Sequence, residues 1–182
     1  MSNLDVPLSA SLTMRPVRQS DNPLLQRIYI AGRTDLALAD ADPEYIRTVI
    51  LQQMQARDQG LGNKYPSRQD FVIQRIGVPI GHMMLGRSPE EVRLASLRFI
   101  PEVDHQQTFA EILPALQAGS SGSGLPLSIV LLDGDWGWIS ILKKAGFTMA
   151  ETNGCQSLFV FVPTERHRSY FFPGMPSGRW QG

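Results

Sequence analysis

The sequence predicts an α/β (α+β) domain, a mixed, mostly antiparallel central sheet of about six or seven strands flanked by about four helices, in the order β-α-α-β-β-β-α-β-α-β. Three observations carry that expectation. Apolar residues recur at helical spacing twice, at Ile46, Val49, Ile50 and Met54 and again at Phe109, Ile112, Leu113 and Leu116. Between these stretches the period changes to short runs rich in β-branched and large apolar residues, separated by Gly/Pro turns. Near the end an almost wholly apolar run at residues 127–132 leads into a further helical pattern that stops at Gly146.

Taken in order, residues 1–11 are a small-residue lead-in, expected to be a loosely held terminus. Residues 12–17 read as a first strand, closed by Gln19-Ser20-Asp21-Asn22, after which Pro23 suits the first position of a helix. Leu24, Leu25, Ile28, Leu36 and Leu38 supply its buried face, with Gly32 a weak point in the middle. A second helix is announced by Asp42-Pro43-Glu44, an N-cap with proline and acid behind it, and fades by Gly60 or Gly62. Residues 71–76, 80–85 and 91–100 then form an antiparallel meander. A helix over residues 106–117 contains Pro114, which lacks an amide proton and is expected to kink or shorten it. The run from Gly119 to Gly124 contains only glycine and serine and reads as a flexible link. Residues 127–132, five of six apolar, predict the most buried strand, followed by a helix over residues 136–145 and a last strand near residues 158–162. Pro163 ends the domain of residues 12–162. The tail of residues 163–182 is rich in Arg, aromatic residues, Pro and Gly, and carries Tyr170, Phe171, Phe172 and Trp180. It is read either as solvated or as lying across the body or a partner subunit, as in a homodimer.

Composition bounds the function. A chain of 182 residues with 42% hydrophobic residues is the size of one domain with a full core. Basic and acidic residues number 17 each, so no net charge draws the chain to nucleic acid or to an anionic membrane. The single Cys155 excludes an internal disulfide, no basic-then-apolar leader opens the chain, and no apolar run reaches the roughly 18 residues of a membrane span, so a cytoplasmic protein is expected. Cys155 lies in an Asn-Gly-Cys turn and reads as an incidental thiol rather than a nucleophile. No Cys, His or carboxylate pair has metal-ligand spacing, and neither a Ser-x-Gly elbow nor a phosphate loop is present.

The joint between the strand ending at Ile100 and the next helix is where a strand feeds a helix N-terminus, a natural phosphate site because the first amides are unpaired and the dipole is positive there. The element order, the Arg15-Pro16-Val17 opening, the hairpin from Gly77 to Gly81, the Pro101-Glu102 corner and the Lys144-Ala145-Gly146-Phe147 ending together resemble the GCN5-related N-acetyltransferase (GNAT) superfamily over residues 12–162. Gly32-Arg33-Thr34-Asp35-Leu36 and Gln53-Met54-Gln55 are similar to a bacterial subset of it. The resemblance implies acetyl-CoA as cofactor, with backbone groups of Leu97, Phe99 and Ile100 along the pantetheine arm. It also implies amides of Gln106, Gln107 and Thr108 toward the pyrophosphate. Here the chain departs from the family pattern: Asp104 stands where a basic or amide residue is usual, and His105, Gln107 and Phe109 replace the glycines. Asp104 with Gln107 reads as a capping box, worth about 1 kcal/mol to the helix. It places a negative charge where the negative cofactor belongs. The tyrosine that many members use to protonate the leaving thiolate is replaced by Leu142, leaving Ser140 as the alternative donor. Trp136 and Trp138 read as packing or groove lining.

The weak candidates for a general base are Glu102, His105 and Asp133, with His82 beside them, although a lone strand histidine is commonly a half-exposed neutral side chain. Two functions of different class follow. One is an acetyl-CoA-dependent N-acyltransferase acting on a small-molecule or peptide amine with weakened cofactor binding. The other is a catalytically inactive domain of the same fold that serves as a binding or oligomerisation module.

Overall fold

The structure, a computed structural model, describes residues 5–32, 42–65, 67–132 and 136–163. Leu36, Leu38, Asp133, the first four residues and the tail from Thr164 lie outside the described residues. Eight strands form one sheet in the order β1-β2-β3-β4-β5-β6-β8-β7: β1 (Val6–Pro7), β2 (Leu12–Pro16), β3 (Gln69–Arg75), β4 (Val78–Arg87), β5 (Val92–Phe99), β6 (Leu127–Leu132), β7 (Thr148–Thr152) and β8 (Gln156–Phe161). All neighbours are antiparallel except β5 and β6. Among the described residues the α-helices are α1 (Asn22–Ala31), α2 (Pro43–Lys64), α3 (His105–Ser123) and α4 (Trp136–Lys144). The expected architecture is therefore present, with two strands more than the expected order contained, the short β1 and the fully exposed β7. Neither is marked by apolar alternation, so their pairing with β2 and β8 rests on backbone hydrogen bonds rather than on a buried face.

One face of the sheet is roofed by α3 and α4. Phe109, Ile112, Leu113 and Leu116 of α3 are at most 1% exposed and meet Met83, Leu85, Leu94 and Leu127 in one continuous core. The opposite face carries α1, which packs on β4 and β5, and α2, whose end brings Tyr65 against Gly86. α1 stops at Ala31 with Gly32 as its cap, rather than continuing through that glycine. Asp42 caps α2 as expected, accepting from the amides of Glu44 at 2.9 Å and Tyr45 at 3.1 Å.

Two expectations are corrected. The glycine-serine run is no link, because α3 continues through it to Ser123 and passes Pro114 on the way. Gly119 and Ser120 are buried, the Ser120 hydroxyl donates to the Leu125 carbonyl at 2.5 Å, and Gly124 closes the helix at φ +68°. The amides of Gly124 and Leu125 return to the carbonyls of Ser121 and Ser120, a Schellman closure. Tertiary burial overrides the low helix propensity of these residues. Strand β6 is also not buried on both faces, since Val130 is 40% and Leu132 63% exposed while Leu127, Ile129 and Leu131 join the core. The α1 side of the sheet leaves that half of β6 uncovered.

Candidate functional site

Two features of β5 build the site. First, β6 pairs with β5 only at Val92, Leu94 and the residue between them, so the two strands diverge beyond Leu94. A cavity of about 340 Å³ lies in the opening, lined by Ala95 to Arg98 of β5, Ile129 to Leu132 of β6, and the rings of Phe109 and Trp138. Those rings pack with centroids 4.4 Å apart. Second, Met84 registers with Ser96 and Leu85 with Leu94, which leaves Ala95 as a bulge residue. The bulge reverses which residues face the roof. Val92 and Leu94 point into the core before it, Leu97 and Phe99 after it, and Ser96 and Arg98 turn to the α1 side.

On that side a cross-strand row runs Arg15, Val72, His82, Arg98 through β2, β3, β4 and β5. His82 Nε2 lies 3.0 Å from Asp70 Oδ1, and Arg68 Nε lies 3.6 Å from Asp70 Oδ2. The Arg98 guanidinium sits 5.0 Å from the centroid of the Tyr29 ring. It also lies against the last turn of α1, where a Cβ on Gly32 would come within 2.8 Å of it. These groups line a second cavity of about 420 Å³ whose apolar walls are Val17, Leu25, Ile28 and Met54. Arg98 lines both cavities, so the two adjoin at that side chain.

The row is anchored at its far end by a buried ion pair. Arg15 and Asp21 are each 7% exposed and form a two-pronged contact of 2.7 and 2.8 Å, while the Arg18 amide donates to the same carboxylate at 2.7 Å. The hydrogen bonds from Arg15 hold the Asp21 carboxyl below its ordinary range, and those to Asp21 hold the Arg15 guanidinium above its own.

The joint between β5 and α3 is closed by its own side chains. Asp104 caps α3, accepting from the Gln107 amide at 2.9 Å, and the Thr108 amide returns to the Asp104 carbonyl at 3.0 Å. Only half of the expected capping box forms, because the Gln107 side chain donates forward to Glu111 at 3.3 Å rather than back. The His105 ring closes over the end of β5, with Nε2 3.1 Å from the Ile100 carbonyl and its centroid 5.5 Å from that of Phe99. The Ile100 amide already donates to Ile80. The Gln106 side chain lies on Gly137 so closely that a Cβ there would fall 2.1 Å from its amide nitrogen. The stretch expected to face the pyrophosphate is thus the first turn of α3, and helix α4 is docked against it at Gly137.

The remaining sequence-derived residues are dispersed. Glu102 is an exposed corner acid paired with Arg27. Ser140 is exposed on α4, and Leu142 is fully buried in the core under α3. Cys155 is exposed and free. Among the described residues no group of three metal-capable side chains assembles, and no helix is long and apolar enough to cross a membrane. Sequence reasoning named His82 but missed Asp70, Arg68 and Arg98. The hairpin at Gly77 was the available signal, because its register places residue 70 diagonally across from residue 82.

No family model and no curated protein sequence matches the chain. Solved structures do. An acetyltransferase from Thermus thermophilus is 19% identical, superposes with a TM-score of 0.60, and covers 86% of this chain and 99% of its own. The fold is that of the GNAT acetyltransferases. A PaiA N-acetyltransferase from Thermoplasma acidophilum, solved with coenzyme A, is 15% identical with a TM-score of 0.61, covering 84% of this chain and 99% of its own. RimL, a ribosomal-protein α-N-acetyltransferase also solved with coenzyme A, is 15% identical with a TM-score of 0.61, covering 89% and 99%. The GNAT fold is thus shared at identities too low to carry activity with it.

Proposed function

We propose that the chain is an acyl-CoA-dependent N-acyltransferase of the GNAT superfamily that holds the thioester end of its cofactor and grips the diphosphate weakly. The observation that carries this reading is the divergence of β5 from β6 beyond Leu94, with a cavity in the opening. There the outward backbone edge of β5 has no registered strand, and an extended pantetheine arm would complete it as a further strand does. Leu97 and Phe99 lie on that edge. The α3 N-terminus fits the diphosphate poorly, because Asp104 takes the Gln107 and Thr108 amides and adds a negative charge. Coenzyme A in two structures of the same fold supports acetyl-CoA as the donor. The acceptor is an amine of a small molecule or peptide, reaching the thioester from the α1 side.

A second reading, a domain of this fold without catalysis that binds or oligomerises, draws on the same closed joint and on the core leucine at position 142. Isothermal titration of the full chain with acetyl-CoA separates the two. The first reading predicts a binding isotherm at submillimolar to millimolar ligand. No heat of binding through the millimolar range would overturn it.

A further inference from the structure

We propose that His82 is the proton acceptor for the incoming amine, with Asp70 its positioning partner, and that the cavity around them takes a primary amine on a small apolar body. The inference rests on the acyltransferase reading and extends it to the acceptor. The Asp70 carboxylate is 3.0 Å from His82 Nε2, which fixes the neutral tautomer with the proton on Nε2 and leaves the Nδ1 lone pair as base. The His82 side chain is 14% exposed, so it reaches the cavity while remaining shielded from bulk water.

The charged and titratable groups facing it are Arg68 and Asp70 at and before β3, Arg98 on β5 and Tyr29 on α1. The apolar walls of Val17, Leu25, Ile28 and Met54 select the body of the acceptor. Because Arg98 lines this cavity and also the opening beside β6, the two adjoin at that side chain, where an amine held here meets a thioester held there.

The ammonium gives one proton to His82, and the amine lone pair then attacks the thioester carbonyl. A C–N bond forms and the C–S bond breaks, the nitrogen loses its second proton to the departing thiolate, and His82 returns its proton to solvent. Products are the acetamide, free CoA and one released proton, so charge and atoms balance.

The test uses the full chain and benzylamine as probe. In an NMR titration without acetyl-CoA, benzylamine should shift the imidazole signals of His82, assigned through the His82→Gln variant, and leave those of His105 in place. Absence of a shift at saturation would overturn the proposal. With acetyl-CoA, thiol release should depend on benzylamine, and His82→Gln should lower kcat/KM about a hundredfold, remove the acidic limb of the pH profile and leave acetyl-CoA affinity unchanged. Asp70→Asn should displace that limb with a smaller loss. Wild-type chain that binds acetyl-CoA yet releases no thiol with benzylamine, or a His82→Gln variant with the wild-type profile, would overturn the assignment. Lack of acetyl-CoA binding by the wild type would overturn the acyltransferase reading beneath it.

Discussion

At the scale of single residues, Asp104 and Asp21 show one carboxylate chemistry turned to different ends. Asp104 satisfies a helix start that would otherwise be an anion site. Asparagine caps as well as aspartate but carries no charge, so Asp104→Asn should keep α3 intact and raise CoA affinity about two- to fivefold. Calorimetric titration of the variant checks this, and a fall in affinity would mean that the carboxylate does not face the diphosphate. Asp21 is instead buried against Arg15. Its folded carboxyl is held below its ordinary range. Its contribution to stability is therefore fully present above the usual carboxylate pKa of about 3.9, and drains away as the pH falls through the lower folded value. Asp21→Asn leaves the Arg15 guanidinium buried without its counter-charge and should cost about 3 kcal/mol at neutral pH. Urea melts of wild type and variant at neutral and acid pH should converge as the medium becomes acid.

At the scale of elements, the β4 to β5 hairpin is fitted to a tolerance smaller than a methyl group. A Cβ on Gly81 would stand 2.6 Å from the Phe99 ring and 2.8 Å from the Arg98 carbonyl, and the backbone neighbour cannot swing aside. Gly81→Ala should cost about 1–3 kcal/mol, read as a lowered urea midpoint, with its main structural effect at the end of β5. The meander itself was legible, because Gly77 and the β-branched runs on either side are local signals. The C-terminal half of α3 was not. Its glycines and serines are weak helix formers, and only the depth at which Gly119 and Ser120 sit beneath the sheet explains why they remain helical. For Val130 and Leu132 the error ran the other way: an apolar run predicts burial on two faces, whereas the covering helices on the α1 side stop short of β6.

At the scale of the whole molecule, element order was written in the alternation of periods along the chain, and the fold followed from it. The site was less legible, since it depends on where β5 and β6 cease to pair, and parallel pairing joins residues far apart in sequence with no turn to mark its length. The substitutions at Asp104, Phe109 and Leu142 were readable as departures. What they do to one another emerges only in three dimensions, where Phe109 packs on Trp138, Gln106 settles on Gly137, and Leu142 completes the core.

The bulge at Ala95 has a consequence of parity. A strand counts in twos, and one supernumerary residue is an odd number: upstream of it even-numbered side chains belong to the roof, downstream the odd-numbered ones do. Excising Ala95 would leave every assignment beyond it in place, whereas drawing Ala95 into a regular ladder would exchange them all, sending the Arg98 guanidinium under α3 and the Phe99 ring out to the α1 side. The placement of a cation between the two cavities is thus encoded by no charged residue. It is encoded by an alanine, through its place in the count.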